Sequence, residues 1–347
     1  MEQGTQKNKI EAVLDKYSIP LSIIIAGVII ASAMSPSQVS RTVELLGINQ
    51  AVDAIRSAIE EAVLPAKGVT LPVTWGNLGA RLVEAGAIDP VAFKKVYEGR
   101  PSTGADANPI GQFPADYENL LSGRTNGALT ITEDNAGYLL NLLWAFGLAN
   151  KNPILEDKTE MMNPAYGDAG NFASTGGWTV AKGNAMEHYS KHMLVTLTPA
   201  QQELVDRVSQ NIYRPCCGNS THFPDCNHGL AMLGLLELMA AQGVSEKEMY
   251  KAALAVNSYW FPDTYLTIAE YMQNKGIDWK KVSPQEMLGA DYSSVAGFRN
   301  IASQVSTPSQ SGGGNGCGVE AGGGTGQATK SADSPAPQQR QQSGCGI

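Results

Sequence analysis

Ile212 to Met249 reads IYRPCCGNSTHFPDCNHGLAMLGLLELMAAQGVSEKEM, and the fold is decided there. Its first part, Cys216 to Cys226, is a polar loop holding three of the chain's five cysteines. From His228 onward the residues are apolar nearly all round, the pattern of a helix buried on every side. Met232 and Met239 belong to that core pattern, and Glu237 lies too far along the helix to share ligands with His228. Ser245 and Glu248 have capping-box spacing, so a second helix opens after the turn and the two make a hairpin. Pro215 is expected to stop a preceding helix, PAQQELVDRVSQNIYRP, and Asp225 or Asn227 to cap the next one. That puts Cys226 near a helix N-terminus, where negative charge is favoured by roughly 0.3–1 kcal/mol and the thiolate with it.

Outward from this hairpin the apolar spacing stays helical. Ala51, Val52, Ile55, Ala58, Ile59, Ala62 and Val63 form one stripe that ends at Pro65. NLGARLVEAGAIDPVAFKKVYEG predicts two short helices, parted by Gly86 and reopened by Asp89-Pro90. Thr132 is expected to cap a helix running through Ala145, dense in Leu, Trp and Phe. Prolines and glycines break any period between 151 and 183, which predicts a long irregular connection lying over a site. SEKEMYKAALAVNSYW and shorter segments at 263–274, 284–288 and 294–305 complete the helices. No sustained alternation is present, so the fold class is mainly α: a helical body with a Cys/His-bearing helical hairpin.

The two ends read differently from the body. Ile19 to Met34, IPLSIIIAGVIIASAM, is uncharged. As a helix it spans about 24 Å, against a hydrocarbon core of about 30 Å. Lys7, Lys9 and Lys16 precede it and only Arg41 follows closely, so the N-terminus is expected in the cytoplasm and the body outside, in the periplasm or at the cell surface. A signal peptide cleaved near Ala33, releasing a secreted body, is the alternative. From Ser306 the Gly, Ser, Pro and Gln richness predicts a flexible tail carrying Cys317 and Cys345. The expected organisation is an anchor or signal at 1–35, a helical part at 36–150, the Gly-rich connection with the Cys/His helical part at 151–305, and the tail at 306–347. A formal charge of −8 and the lack of a Lys/Arg cluster exclude a nucleic-acid partner.

All four histidines and three cysteines fall between His188 and His228. Adjacent residues lie too close for a disulfide, so Cys216 and Cys217 are not expected to pair with each other. Cys216, Cys217 and Cys226 with His228, or with His222 in its place, make a Cys3His set suited to Zn, and thiolates also suit Cu(I). His188 and His192, four apart, would share one helix face and could bind a metal or flank the loop. Catalytic signatures are missing: no Gly-x-Ser-x-Gly, no Gly-Lys-Ser/Thr and no Cys-x-x-Cys-His, so no catalytic residue is assigned and a non-enzyme is favoured.

The order of cysteine pair, loop, later cysteine and Leu-rich helix over about 212–250 resembles extracytoplasmic thiol hairpins. Two families share it: the membrane-anchored thiol proteins of cytochrome c maturation and the lipoproteins with a PCYCGC motif. The maturation proteins carry Cys-x-x-Cys, whereas Cys216-Cys217 has no spacer. The resemblance implies a thiol relay outside the cytoplasm. Three functions follow from the sequence: an exported, anchored protein binding Zn or Cu(I) for sequestration, delivery or sensing; a thiol-disulfide redox protein; or an interaction module with a disulfide-stapled loop.

Overall fold

Two apolar helices cross because two glycines let them touch. In the computed structural model, which describes residues 48–97, 115–124 and 127–305, these are Ala136–Ala149 and Asn227–Ala241. A Cβ on Gly147 would sit 2.0 Å from the Leu230 carbonyl oxygen, and one on Gly234 2.6 Å from that of Leu143. No side chain fits there, so backbone packs directly on backbone. Both helices are buried on every side, which is why neither shows an amphipathic stripe in sequence.

In chain order the elements are α1 (Ile48–Val63), β1 (Val69–Thr74), α2 (Leu78–Ala85), α3 (Pro90–Lys95), α4 (Ala115–Ser122), β2 (Ala128–Ile131) and α5 (Ala136–Ala149). They continue as α6 (Pro153–Glu156), α7 (Ala173–Gly176), α8 (Pro199–Ser209), α9 (Asn227–Ala241), α10 (Glu246–Trp260) and α11 (Pro262–Asn274). Three short helices close the described chain: α12 (Pro284–Leu288), α13 (Ala290–Ser293) and α14 (Val295–Ala302). The protein is mainly α, as its periodicity predicts. Among the described residues no helix is long and apolar enough to cross a membrane. The expected anchor at 19–34 and the tail with Cys317 and Cys345 lie outside the described residues.

The described residues fall into two compact units. One comprises 48–62 and 269–282, and within it the Lys275 ammonium lies 4.2 Å over the Tyr271 ring. The other comprises 63–268 and 283–305 and holds the crossing helices, with α8 packed on α9, α10 against both and α12 against α10.

Several local expectations are corrected. β1 and β2 pair antiparallel, Val69 opposite Ile131 and Thr70 opposite Thr130. In β1 Leu71 and Val73 are buried while Thr70, Pro72 and Thr74 are exposed, a period-2 pattern too short to stand out in sequence. The helix expected from Thr132 starts at Ala136 instead, because Thr132 and Asn135 satisfy each other's backbone N–H groups and hold the chain in a turn. Pro215 does not stop α8, which already ends at Ser209. The helix expected over 294–305 is α14 alone, with α13 a separate turn before it.

Candidate metal centre

The cysteine loop leaves α8 and doubles back on itself. Tyr213 and Ser220 form an antiparallel bridge, and Thr221 donates from both N–H and hydroxyl to the Ile212 carbonyl. Cys217 N–H donates to the Arg214 carbonyl, so the cysteine pair sits in a tight turn. Val295 N–H, at the start of α14, donates to the Cys217 carbonyl at 3.0 Å. Cys226 itself is the N-cap of α9, with no capping side chain of its own; Asp225 does not cap it, whereas Asn227, one residue inside the helix, accepts the His228 N–H at 2.9 Å.

At the heart of the loop is a buried guanidinium that the sequence reading overlooked. Arg214 Nε–H donates to Cys226 Sγ at 3.0 Å, Nη1 to the Asn219 carbonyl at 3.1 Å, and Nη2 to the Phe223 carbonyl at 3.0 Å and to Asp225 Oδ1 at 2.6 Å. The second Asp225 oxygen accepts from Asn219 Nδ2 at 2.8 Å. Gly229 makes room for this arrangement: a Cβ there would lie 2.8 Å from Arg214 Cζ. The signal available in sequence was a lone Arg two residues before the cysteine pair and a Gly in the first turn of α9. Neither residue type belongs to a ligand vocabulary.

Around that guanidinium the three thiols converge as free cysteines. Cys216 Sγ lies 3.5 Å from Cys226 Sγ and 3.9 Å from Cys217 Sγ. Sulfurs sharing one tetrahedral Zn at about 2.3 Å would be about 3.8 Å apart, so the two spacings bracket the value a metal demands. Ligand atoms of Cys216, Cys226 and His228 all lie within 4.8 Å of one another, and so do those of Cys217, Asp225 and Cys226. The His228 ring is packed against Phe261, centroids 4.4 Å apart, and its buried Nδ1 has no hydrogen-bond partner. One His228 ring nitrogen is thus within 4.8 Å of two sulfurs, and a buried Nδ1 without a partner carries a cost of about 1–3 kcal/mol that a bound cation or a shift of the ring would relieve. The residues present thus form a group that could hold a metal ion.

The thiols divide their charge unequally. Burial pushes the Cys226 thiol up, but hydrogen bonds from Cys216 and Cys217, the Arg214 charge and a hydrogen bond with His228 outweigh it and hold Cys226 well below the usual thiol range. Hydrogen bonds to Cys217 and Cys226, together with burial, push Cys216 well above that range. For Cys217 a hydrogen bond with Cys216 pulls down, yet its bond to Cys226 and burial win, and the value is pushed up to about 12. Of the three sulfurs, Cys226 is therefore the one that favours the thiolate, while Cys216 and Cys217 favour the neutral thiol. Burial likewise pushes the Asp225 carboxyl up, against the pull of Arg214.

The other candidate histidines lie elsewhere. His222 belongs to neither ligand group: its Nε2 lies 4.0 Å from an Asp206 carboxylate oxygen, and its backbone N–H donates to the Ser209 carbonyl. His188 and His192 do not share a helix face: a 3-10 turn at Ala185–Glu187 and a left-handed Ser190 (φ 53°) carry them. Their ring nitrogens still meet at 3.1 Å, with His188 Nε2–H donating to the Lys182 carbonyl. Burial, with His188 beside it, lowers the His192 value. Neither belongs to the ligand group around Cys226. The irregular connection does run over the loop: Ser174 N–H donates to the Asp225 carbonyl at 3.1 Å, and Phe172 and Tyr166 stack edge-on against Phe223.

Glu237 also belongs to no ligand set. It is fully buried on α9, accepting from Asn150 Nδ2 at 2.9 Å and from Asn152 Nδ2, and burial pushes its carboxyl up to about 8. It ties α9 to the end of α5. No family model, curated protein or solved structure matches the chain.

Proposed function

We propose that this protein binds a thiophilic metal ion, Zn or Cu(I), through Cys216, Cys217, Cys226 and His228, for sequestration, delivery or sensing. The observation that carries the reading is the convergence of free sulfurs at 3.5 and 3.9 Å, with a ring nitrogen of the buried His228 within 4.8 Å of the Cys216 and Cys226 sulfurs. The proposal includes export and membrane anchoring of the body, supported by the uncharged run at 19–34 and the lysines before it. The test is metal analysis of the reduced full chain after reconstitution. One equivalent of tightly held Zn or Cu, lost in Cys226→Ser, is expected. A metal content that stays near zero after reconstitution of the folded protein refutes the reading.

A thiol-disulfide role is the second reading, favoured by one feature: Cys226, held below the usual thiol range by its neighbours, has the Cys216 sulfur 3.5 Å away, close enough to form a disulfide after a small shift. Thiol counting across a glutathione titration separates the two. A redox protein cycles between two thiol numbers without metal, whereas a metal protein keeps its thiols and loses reactivity when loaded.

A further inference from the structure

Two overlapping ligand sets meet at Cys226, one with Cys216 and His228, the other with Cys217 and Asp225. If both were open, Cys226 would bridge two cations, as sulfur does in polynuclear thiolate clusters. The second set is not open. Both of its negative members already face the same buried cation: Arg214 Nε–H is bonded to Cys226 Sγ at 3.0 Å and Arg214 Nη2 to Asp225 Oδ1 at 2.6 Å. The remaining Asp225 oxygen is taken by Asn219 Nδ2. Arg214 is 1% exposed, and the missing Cβ of Gly229 gives it the space. The first set shares Cys226 with the guanidinium, but its other two members, Cys216 and His228, make no bond to Arg214, and His228 Nδ1 has no hydrogen-bond partner.

Resting on the metal-binding reading above, we infer that the Arg214 guanidinium is the built-in cation of the second set, so that the centre takes one divalent cation, on the side of Cys216, Cys226 and His228. Charge favours the divalent ion. Three thiolates, one carboxylate and one guanidinium sum to minus three; a divalent ion leaves minus one in a buried place and a monovalent ion minus two. Cys217, 3.9 Å from the Cys216 sulfur but outside the group that contains His228, becomes the fourth ligand of that single ion by a small shift toward it. An arginine cannot be displaced by losing its proton, so the second set stays closed at any ordinary pH.

The experiment is a Cd(II) titration of the reduced full chain followed by cadmium NMR, in a background with Cys317→Ser and Cys345→Ser so that only this centre offers thiols. One thiolate-bound resonance is expected, complete at one equivalent and unaccompanied by a second in excess Cd(II). Arg214→Ala opens the second set and is expected to gain a second thiolate-bound resonance. Arg214→Lys keeps a cation there and is expected to stay at one. Asp225→Asn removes a carboxylate that the inference says is no ligand, so the single resonance is expected to persist; its loss overturns the inference. A second thiolate-bound resonance in the parent chain also overturns it, as does a folded Arg214→Ala that binds only one ion. Should Arg214→Ala not fold, the Asp225→Asn and Arg214→Lys chains carry the decision. No bound Cd(II) in the parent chain refutes the metal reading itself, whereas two bound ions leave that reading standing and refute only the single-ion inference.

Discussion

Zinc binding at pH 8 should release about two protons per ion. Metal ligation needs thiolates, so each sulfur that is neutral beforehand must lose its proton. Cys226 is already held well below the usual thiol range, while Cys216 is pushed well above it and Cys217 to about 12. The count is therefore set by Cys216 and Cys217 alone, and the apparent affinity should rise about 100-fold per pH unit near pH 8, about 2.7 kcal/mol. Calorimetric titration of the reduced chain in buffers of different ionisation enthalpy reads the proton number directly, as the slope of observed against buffer enthalpy. Release of three protons would show that Cys226 is an ordinary thiol and that Arg214 does not hold it ionised. Release of one or none would show that a sulfur stays out of the coordination sphere.

Two further outcomes concern the scaffold. Glu237, pushed up to about 8 by burial, keeps a proton that the unfolded chain releases at ordinary carboxylate pH. Stability should therefore fall as pH rises from about 4.5 to about 8, by roughly 1.4 kcal/mol per pH unit, and Glu237→Gln should flatten that slope in thermal melts; parallel melts of the two chains would contradict it. Gly147→Ala gains about 1 kcal/mol of helix propensity but drives a Cβ to 2.0 Å from the Leu230 carbonyl oxygen. A net loss of about 1–3 kcal/mol in urea unfolding is expected, and a stabilised variant would show that the two helices do not cross there.

Much of the fold was legible because helical burial leaves a local trace. The α9–α10 hairpin announced itself through an apolar run and the Ser245 cap, whose hydroxyl does accept from Glu248 N–H. The Asp89-Pro90 start of α3 was equally plain, with Asp89 accepting from Val91 and Ala92. Crowding of soft ligands between 188 and 228 marked the site, since few other pressures gather cysteine and histidine together. Missing were the β1–β2 pair, whose alternation spans six residues and four, and the start of α5, where two side chains satisfied N–H groups that a helix would otherwise use.

What the sequence alone determined, then, was the helical class, the hairpin and the stock of sulfur and imidazole, because period, caps and residue type are properties of neighbours along the chain. Which members of that stock meet was left to the tertiary structure. Contacts across the loop set His222 beside Asp206, put His188 and His192 on a separate turn, and brought Arg214 back twelve residues to face Cys226. The charge on a sulfur depends on what lies within a few ångströms of it in space, and chain order does not encode that.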